Sequence, residues 1–528
     1  MTTSEFKNVQ EIEAIEALLA REYGVAGEIV ALPGEHDLNF RIQARDGRAF
    51  LLKLHALGAP EELDMQIAVL DHLAREATDL PVSKALPSRS GASFTRVEFK
   101  GERVARLLTW LPGEIWARAA NRSSNSVETL GALLGKLDRS LAGFSHPGAR
   151  REYAWDIARA EMHLANVDLI EDVEKRSAVR AILDHFVSTV LPRLAACPRQ
   201  VIHNDANDYN VLVGADGRVS GLLDFGDMVE SYRVVEVAVA SAYALIGSPD
   251  PIGAIARLAG AYQGVNRLGE TEAELIFDLV RTRYAVSICM AARQIRDNPE
   301  NAYLLVSQED VWRELKRLEQ ENRSFAIARL RDACGFAPIP RAARVVRWLE
   351  RNAHDFSGVI KPGIARPKAA VFDFSANSPE NWAGLEKDVA QARIEAHIHA
   401  EGADFGLGLY GEDRAVYKGD AYQATASLRR TIHLGIDLFA PANEPVHAPF
   451  AGKVAFYHDD AVPYGFGPTI LLEHTTGEGD TFWTLYGHLS RESASRLSIG
   501  QPVARGEAFA TLGIAPKTAA GFRTCISR

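Results

Sequence analysis

The sequence predicts an α+β fold in three parts: a β-rich lobe, a helical lobe, and a small, incomplete all-β domain. Short β-type apolar runs dominate residues 25–112, amphipathic helical periodicity dominates 113–340, and short apolar runs between Pro and Gly turns return at 401–513. A length of 528 residues also indicates several domains. The remaining segments are predicted to be an N-terminal helix at 1–24, a Pro-, Arg- and Ser-rich linker at 341–400, and an aberrant tail at 514–528.

Composition and charge narrow the possible functions. The chain is 47% hydrophobic and 24% charged, and its net charge of −10 argues against a nucleic acid or an anionic membrane as partner. Its apolar runs are too short to span a bilayer, and its polar first residues do not form a secretory signal. Four scattered cysteines show neither metal-binding spacing nor a disulfide framework. We therefore expect a cytoplasmic globular protein, and the oligomeric state stays open.

Three residues of the β-rich lobe are of interest. Gly34 lies in a turn between two short β-type runs, and Lys53 lies inside the apolar run FLLKL. Leu108 belongs to a strand pair that ends in Pro-Gly, and a helix is predicted before it at 60–74. Taken alone, Lys53 is best interpreted as an edge-strand residue, and Leu108 fits either an ordinary core strand or the hinge between two lobes.

The helical lobe contains one β-type stretch, VIHNDANDYNVLVGADGRVSGLLDFGD, from Val201 to Asp227. Its apolar runs, polar loop and Gly/Asp turn predict a hairpin with polar residues on either side. The spacing matches the protein-kinase signature His-x-Asp-x-x-x-x-Asn followed by Asp-Phe-Gly. The matching residues are His203, Asp205, Asn210, Asp224, Phe225 and Gly226. The alternative is an ordinary acidic loop, but so many matches at the right separation argue against chance.

These residue types fit phosphoryl transfer. Asp205 is predicted to accept the proton of a substrate hydroxyl, and His203 to brace the loop. Asn210 and Asp224 supply the oxygen ligands that Mg²⁺ prefers when it bridges ATP phosphates. The helices around the hairpin leave room for a small substrate, and further candidates for contact with it, each with a structural alternative, are Asp208, Tyr284 and Arg293.

Because a kinase-like catalytic loop follows in the chain, we predict that the β-rich lobe binds the nucleotide. Lys53 is predicted to hold the α- and β-phosphates, Gly34 to lie in a short lid over the phosphates, and Leu108 to lie beside the adenine. In kinases a glutamate of the following helix pairs with the lysine. The matching position here is Gln66, with Glu62 and Asp64 nearby, so the partner of Lys53 stays open.

Residues 25–335 resemble the aminoglycoside phosphotransferase and choline kinase family, and HNDANDYNVLV with GLLDFGD is most similar to its hydroxylysine kinase branch. The resemblance implies a protein-kinase-like two-lobed fold with ATP and Mg²⁺ as cofactors. It implies Asp205 as the catalytic base, Asn210 and Asp224 as magnesium ligands, and Asp227 as an auxiliary acid near the metal. The implied substrate is a small amino alcohol or hydroxy amino acid, with hydroxylysine- or ethanolamine-like compounds preferred.

The all-β segment contains a second candidate site. His433 and Asp437 lie four residues apart in HLGID and can both face a divalent metal, and His488 follows in YGHLS. With the patterns around them, they resemble the lysostaphin-like (LytM-type) zinc metallopeptidases over residues 430–513. In that family the zinc ligands are a His, an Asp and the second histidine of a later His-x-His, and His488 matches a catalytic-type histidine. Because no His-x-His follows His488, we expect a vestigial site, weak Zn²⁺ binding and no peptidase activity.

The tail, ending in AAGFRTCISR, suggests a reason for the missing motif. Back-translated and read in a shifted frame, it encodes Gly-Trp-Leu-Pro-His-Leu-His-Phe-Gln, which restores a His-x-His. We therefore expect a frameshifted and truncated chain, although a chance match is the alternative. By resemblance to proteins with the same domain order, a longer form would continue into a PLP-dependent, aminotransferase-like domain.

Three functions are compatible with these observations. The favoured one is an ATP-dependent small-molecule kinase with an inactive metallopeptidase-like appendage. The second is a zinc endopeptidase regulated by a kinase-like domain. The third is a non-catalytic nucleotide-binding module, against which the intact set of Asp205, Asn210 and Asp224 argues.

Overall fold

Six antiparallel strands form the sheet of the first lobe. The computed structural model describes residues 9–32, 37–56, 60–119, 123–297, 302–382, 385, 387–414, 431–460, 465–513 and 524–527. The first helices are α1 (Val9–Glu22) and α2 (Pro60–Glu76), and the strands are β1 (Gly27–Leu32), β2 (Leu38–Ala44), β3 (Ala49–Ala56), β4 (Ala85–Leu86), β5 (Thr95–Glu98) and β6 (Glu102–Thr109). Their order is β1-β2-β3-β6-β4, and β5 also pairs with β6.

Strand β3 separates the core of this lobe from its polar face. Leu52 and Leu54 are fully buried in one cluster with Ile15 and Leu19 of α1. Because successive side chains of a strand point to opposite faces, Lys53 lies on the other side of the sheet. The register of β3 and β6 places Lys53 directly opposite Arg106. Two cationic residues are therefore neighbours on the face that α1 leaves uncovered.

The helical lobe is built around one large apolar core. In chain order its elements are β7 (Glu114–Ile115), α3 (Ser124–Ser140), α4 (Val173–His185), α5 (Leu191–Leu194), β8 (Arg199–Ile202), β9 (Val211–Val213), β10 (Val219–Leu222), β11 (Val229–Tyr232), α6 (Arg233–Ala244), α7 (Pro251–Gln263), α8 (Glu270–Asp297), α9 (Ala302–Glu319) and α10 (Arg323–Ala333). Within the described residues, no helix of the chain is both long enough and apolar enough to cross a membrane.

Two strand pairs bring the signature residues together. Strands β9 and β10 form an antiparallel hairpin in which Val211 lies opposite Leu222. Strands β8 and β11 pair with Ile202 opposite Val229. The loop 203–210 and the loop 223–228 are therefore anchored side by side at both of their ends. This register explains how residues about twenty positions apart can share one site.

The chain divides into two compact units, Met1–Pro338 and Ile339–Arg528. The second contains α11 (Pro340–Arg351), β12 (Ala369–Phe372), α12 (Lys387–Ala400), β13 (Phe405–Gly408), β14 (Ile436–Phe439), β15 (Pro445–His447), β16 (Gly452–Asp460), β17 (Gly467–Thr475), β18 (Thr481–Tyr486), α13 (Arg491–Ala494), β19 (Pro502–Val503), β20 (Ala508–Thr511) and β21 (Thr524–Ser527). Its sheets have the orders β12-β13-β14-β21, β18-β17-β16-β19 and β15-β20.

The predicted linker at 341–400 differs from the structure. It contains most of α11, and all of β12 and α12. Strand β12 pairs in parallel with β13. The physical reason is a small aromatic core, in which Phe372, Phe374 and Trp382 pack with Phe439. Although the segment is rich in Pro, Arg and Ser, its aromatic side chains bury enough apolar surface to order it.

A close approach of two helices constrains the helical lobe. Helix α3 packs on α7 at Gly131, where a Cβ atom would lie only 2.3 Å from the carbonyl oxygen of Leu258. That neighbour is backbone, so it cannot rotate away as a side chain could. The glycine is therefore required by packing, even though glycine inside a helix costs about 1 kcal/mol relative to alanine.

We expect Gly131→Ala to destabilise the first unit by about 1–3 kcal/mol, because the overpacking outweighs the gain in helix propensity. Differential scanning calorimetry measures the resulting fall in melting temperature. Gly264→Ala is the matched control, because its Cβ would meet its nearest neighbour at 3.6 Å. A Gly131→Ala protein that melts at or above the wild-type temperature would contradict this packing argument.

Candidate active site

His203 braces the loop that contains Asp205. Its side chain is fully buried, and its Nε2 donates to the carbonyl oxygen of Leu223 at 2.9 Å. Its Nδ1 accepts the backbone N–H of Asp205 at 3.3 Å, and its ring packs edge-to-face on Phe225 at 4.9 Å. One imidazole thus joins the loop before the hairpin to the loop after it.

Glu236 of α6 stabilises the same loop through a buried hydrogen bond. It is fully buried and accepts the backbone N–H of Asn204 at 3.0 Å. Asn204 has a φ of 66°, a left-handed conformation that needs such support in a residue other than glycine. Burial raises the pKa of Glu236, and the nearby His203 opposes the shift. Sequence analysis missed this residue, and the available signal was a lone acid in the apolar run VVEVAVA.

Asp205 lies at the centre of the site. Its Oδ2 accepts hydrogen bonds from Asn210 Nδ2 at 2.7 Å and from Asn207 Nδ2 at 2.8 Å. Its Oδ1 lies 3.5 Å from Nη2 of Arg283, and its side chain is 16% exposed. Burial raises the pKa of Asp205 to about 6, while Arg283 lowers it and Asp227 raises it further. Asp205 is therefore ionised at neutral pH, and its pKa is close enough to neutral for the carboxylate to accept a proton there.

The predicted magnesium ligands surround this carboxylate. Asn210 uses Nδ2 for its bonds to Asp205, which leaves its amide oxygen as a ligand. The backbone carbonyl of Asn210 accepts the N–H of Leu223 at 2.7 Å. Asp224 is the residue after Leu223, so it lies close to Asn210. Asp224 is exposed, and Asp227 is partly buried and hydrogen-bonded to Tyr153, whose pKa is raised mainly by burial.

This donor set fits magnesium. Mg²⁺ takes one or two protein oxygens and completes its shell with water and phosphate oxygens. Asn210 and Asp224 provide such oxygens, and Asp227 provides a further carboxylate. In the described residues there is no cluster of three or more His, Cys, Asp or Glu side chains placed to hold a metal alone. The geometry therefore suits an ion that arrives with its nucleotide.

Lys53 has a different partner from the one expected in kinases. Its Nζ lies 3.5 Å from Asp37, which also binds His55 Nδ1 at 2.8 Å. The three expected candidates are engaged elsewhere. Gln66 accepts from Arg106 at 3.1 Å, Glu62 pairs with Arg151 at 2.7 Å, and Asp64 pairs with His146 at 3.2 Å.

Arg106 is a second cation of this face that sequence analysis missed. It is buried, and it donates to His55 Nε2 at 3.1 Å as well as to Gln66. Burial lowers the pKa of Arg106 to about 10, against the attraction of Asp37 and Asp224. Leu108, two residues further along β6, is buried opposite Leu51. Gly34 lies outside the described residues.

The three proposed substrate contacts have the following partners in the structure. Tyr284 is buried and donates to the carbonyl oxygen of Ala242. Arg293 is half exposed and lies 3.8 Å from Asp297. Asp208 is buried, and its carbonyl accepts the N–H of Ala117. Arg283, which precedes Tyr284 on α8, does reach the carboxylate of Asp205.

The second unit brings two of the three predicted metallopeptidase residues together. His433 Nε2 lies 3.6 Å from Asp437 Oδ1, and both side chains are buried. Arg414 lies 2.7 Å from the other oxygen of Asp437. His488 is partly buried with a φ of 57°, and its ring centroid lies 6.4 Å from that of Phe466.

This arrangement does not fit a three-ligand zinc site. In the described part of the chain, His433 and Asp437 do not belong to any group of three His, Cys, Asp or Glu side chains that could hold a metal ion. A guanidinium also neutralises Asp437, which would have to release it to bind a metal. In the tail, β21 pairs with β14 so that Ile526 lies opposite Asp437. Strand β21 therefore covers that edge of β14, and the residue in register with Asp437 is an isoleucine.

Comparison with known proteins defines both parts of the chain. Residues 28–276 match the phosphotransferase enzyme family, and residues 431–522 match peptidase family M23. The chain thus contains one region similar to the phosphotransferase enzyme family and one similar to peptidase family M23, and both predicted resemblances are confirmed. The predicted α+β fold and the predicted enzyme class, a small-molecule kinase, are confirmed as well.

The individual proteins named here share 30% or less of their aligned residues with this chain. The chain is 28% identical over 352 residues to hydroxylysine kinase of Danio rerio, covering 62% of this chain and 98% of that protein. It is 30% identical over 209 residues to homoserine kinase of Zymomonas mobilis, covering 39% of this chain and 61% of that protein. Among solved structures, amicoumacin kinase in complex with AMP-PNP and Ca²⁺ matches with a TM-score of 0.44 and 14% identity, over 59% of this chain and 96% of that one.

We expect the purified protein to retain much less than one zinc ion per chain after dialysis, because two protein ligands hold zinc weakly. Elemental analysis of the wild type and of His433→Ala measures the metal content. The variant is the control for zinc bound elsewhere. One zinc per wild-type chain that is lost in His433→Ala would show this prediction to be wrong.

Proposed function

We propose that this protein transfers the γ-phosphoryl group of ATP to a hydroxyl of a small amino alcohol or hydroxy amino acid, with Mg²⁺ as the metal. One observation carries the proposal. Asp205, with a pKa of about 6, is held by Asn210 at 2.7 Å next to the acids of the following loop. That arrangement combines a base and a metal–nucleotide site within one pair of loops.

The chemistry follows from the roles of the residues. The ionised Asp205 accepts the hydroxyl proton as the substrate oxygen forms its bond to the γ-phosphorus and the bond to the leaving ADP oxygen breaks. Asn210 and Asp224 would hold magnesium, which neutralises the charge that develops on the phosphates. Lys53 holds the phosphates on the other side, and positioning supplies much of the rate acceleration.

The choice of substrate rests on the relatives and on the small size of the compounds in their names. Similarity to a hydroxylysine kinase and to a homoserine kinase supports a small molecule with a hydroxyl and an amine. We favour a hydroxylysine-like or ethanolamine-like compound. An assay of ADP release over a panel of hydroxylated amines tests the proposal, and cleavage of glycine-rich peptides without any such turnover would favour a peptidase instead.

We also propose that the M23-family domain is an inactive appendage. His433 and Asp437 lack a third ligand in the described residues, and Arg414 already pairs with Asp437. The proposal concerns catalysis and leaves a binding role for this domain untouched.

Asp205→Asn should lower kcat by about 100- to 10,000-fold, the usual contribution of a general base. An amide keeps the shape and hydrogen-bonding capacity of the side chain but cannot take the proton. Asp216→Asn, at an exposed turn beyond β9, is the control. Retention of most of the activity by Asp205→Asn would remove this carboxylate from the mechanism.

The pH profile of kcat/KM, which reports the pKa of the base in the free enzyme, should rise through about pH 6 and level off above it. The folded enzyme raises the pKa of Asp205 to about 6, so the active ionised form is lost progressively as pH falls below that value. Steady-state kinetics between about pH 5 and pH 8 extend about one unit below and two units above this pKa. That range is sufficient to resolve the acidic limb of the profile. A flat acidic limb would assign the base to another group.

A further inference from the structure

Arg283 of α8 is a buried cation that touches the catalytic base. Its side chain is 4% exposed, and its Nη2 lies 3.5 Å from Asp205 Oδ1. The same nitrogen donates to the hydroxyl of Tyr243 at 3.1 Å, and Nη1 donates to the carbonyl oxygen of Trp155 at 3.4 Å. The guanidinium carbon lies 4.8 Å from the Trp155 ring centroid and 5.8 Å from that of Tyr243. Two aromatic rings thus fix the guanidinium beside Asp205.

These contacts satisfy the guanidinium poorly. Arginine has five N–H donors, and its bonds to carboxylates are usually about 2.7–2.9 Å long. The contact of Arg283 with the Asp205 carboxylate, at 3.5 Å, is longer, its bond to the Trp155 carbonyl is long at 3.4 Å, and Nε has no acceptor among the described residues. A buried charge is costly unless it is well paired. The site therefore has unused capacity for an anion next to the atom that receives the substrate proton.

We propose that Arg283 binds the carboxylate of the substrate, so that the site selects hydroxy amino acids over the corresponding amino alcohols. This inference rests on the proposed kinase function. The planar guanidinium can bind a carboxylate through two parallel hydrogen bonds, which a single Asp205 oxygen at 3.5 Å does not provide. An amino alcohol brings a cation and no anion, so it leaves Arg283 without a better partner.

A positioning role for Arg283 is the competing explanation. In that case the guanidinium only orients Asp205 and keeps it ionised. Its loss would then slow phosphorylation of all substrates by the same factor and would shift the acidic limb of the pH profile. Carboxylate binding instead predicts a loss that depends on whether the substrate has a carboxylate, and this difference can be measured.

The test uses two matched substrate pairs: homoserine with aminopropanol, and hydroxylysine with its decarboxylated diamine. Wild-type kcat/KM should be at least about tenfold higher for the acid of one pair or both, because one good ion pair is worth that much or more. Arg283→Gln should lower kcat/KM for that acid at least about tenfold more than for its amine, and Arg283→Lys should have an acid-to-amine ratio between those of Arg283→Gln and the wild type.

The control is Arg293→Gln, on the same helix but half exposed and away from Asp205, which should keep the wild-type preference. If Arg283→Gln does not fold, the wild-type ratio decides. Turnover of both members of each pair with equal kcat/KM overturns the inference and leaves the kinase function intact, as does an equal loss for acid and amine in Arg283→Gln. No turnover with any of the four compounds overturns the inference together with the proposed substrate class.

Discussion

Burial of one carboxylate, that of Asp205, is the constraint on which the site depends. Removing it from water requires hydrogen-bond donors around it, and Asn207 and Asn210 supply them from the same loop. That loop in turn needs fixed ends, which His203 and Glu236 provide through buried contacts to backbone groups. The result is a carboxylate that is held in place within the loop, with its pKa raised by burial to about 6, as the proposed role of a base requires.

Cations balance the acids of the site from two directions. Lys53 and Arg106 lie opposite each other on one face of the first sheet, and Arg283 lies beside Asp205 in the helical lobe. Arg106 Nη1 and Arg283 Nε are both buried without an acceptor in the described part of the chain. Incompletely paired buried cations are costly, because they have lost their water, unless an anion completes their pairing. Phosphates and a substrate carboxylate are anions of the required kind.

The second unit uses the same residue types for a different purpose. Asp437, which would be a metal ligand in an intact peptidase, shares Arg414 with Glu412 in a buried ion-pair network. Glu412 also accepts the backbone N–H of Phe374 next to the aromatic core. Asp437 therefore helps to hold the sheet together through Arg414, a structural role that does not need a metal ion.

By itself the sequence determined the catalytic loop, because His203, Asp205, Asn210 and Asp224 are close along the chain and local strand pairing is enough to assemble them. It also determined both domain types through short local motifs. Only the tertiary structure decided the long-range partners: Asp37 for Lys53, Arg106 for Gln66, and Arg283 for Asp205, 78 positions away. It likewise revealed β12 and its aromatic core inside a segment whose composition indicated a linker. The physical reason is that such contacts depend on the register and packing of separate elements, which no local pattern encodes.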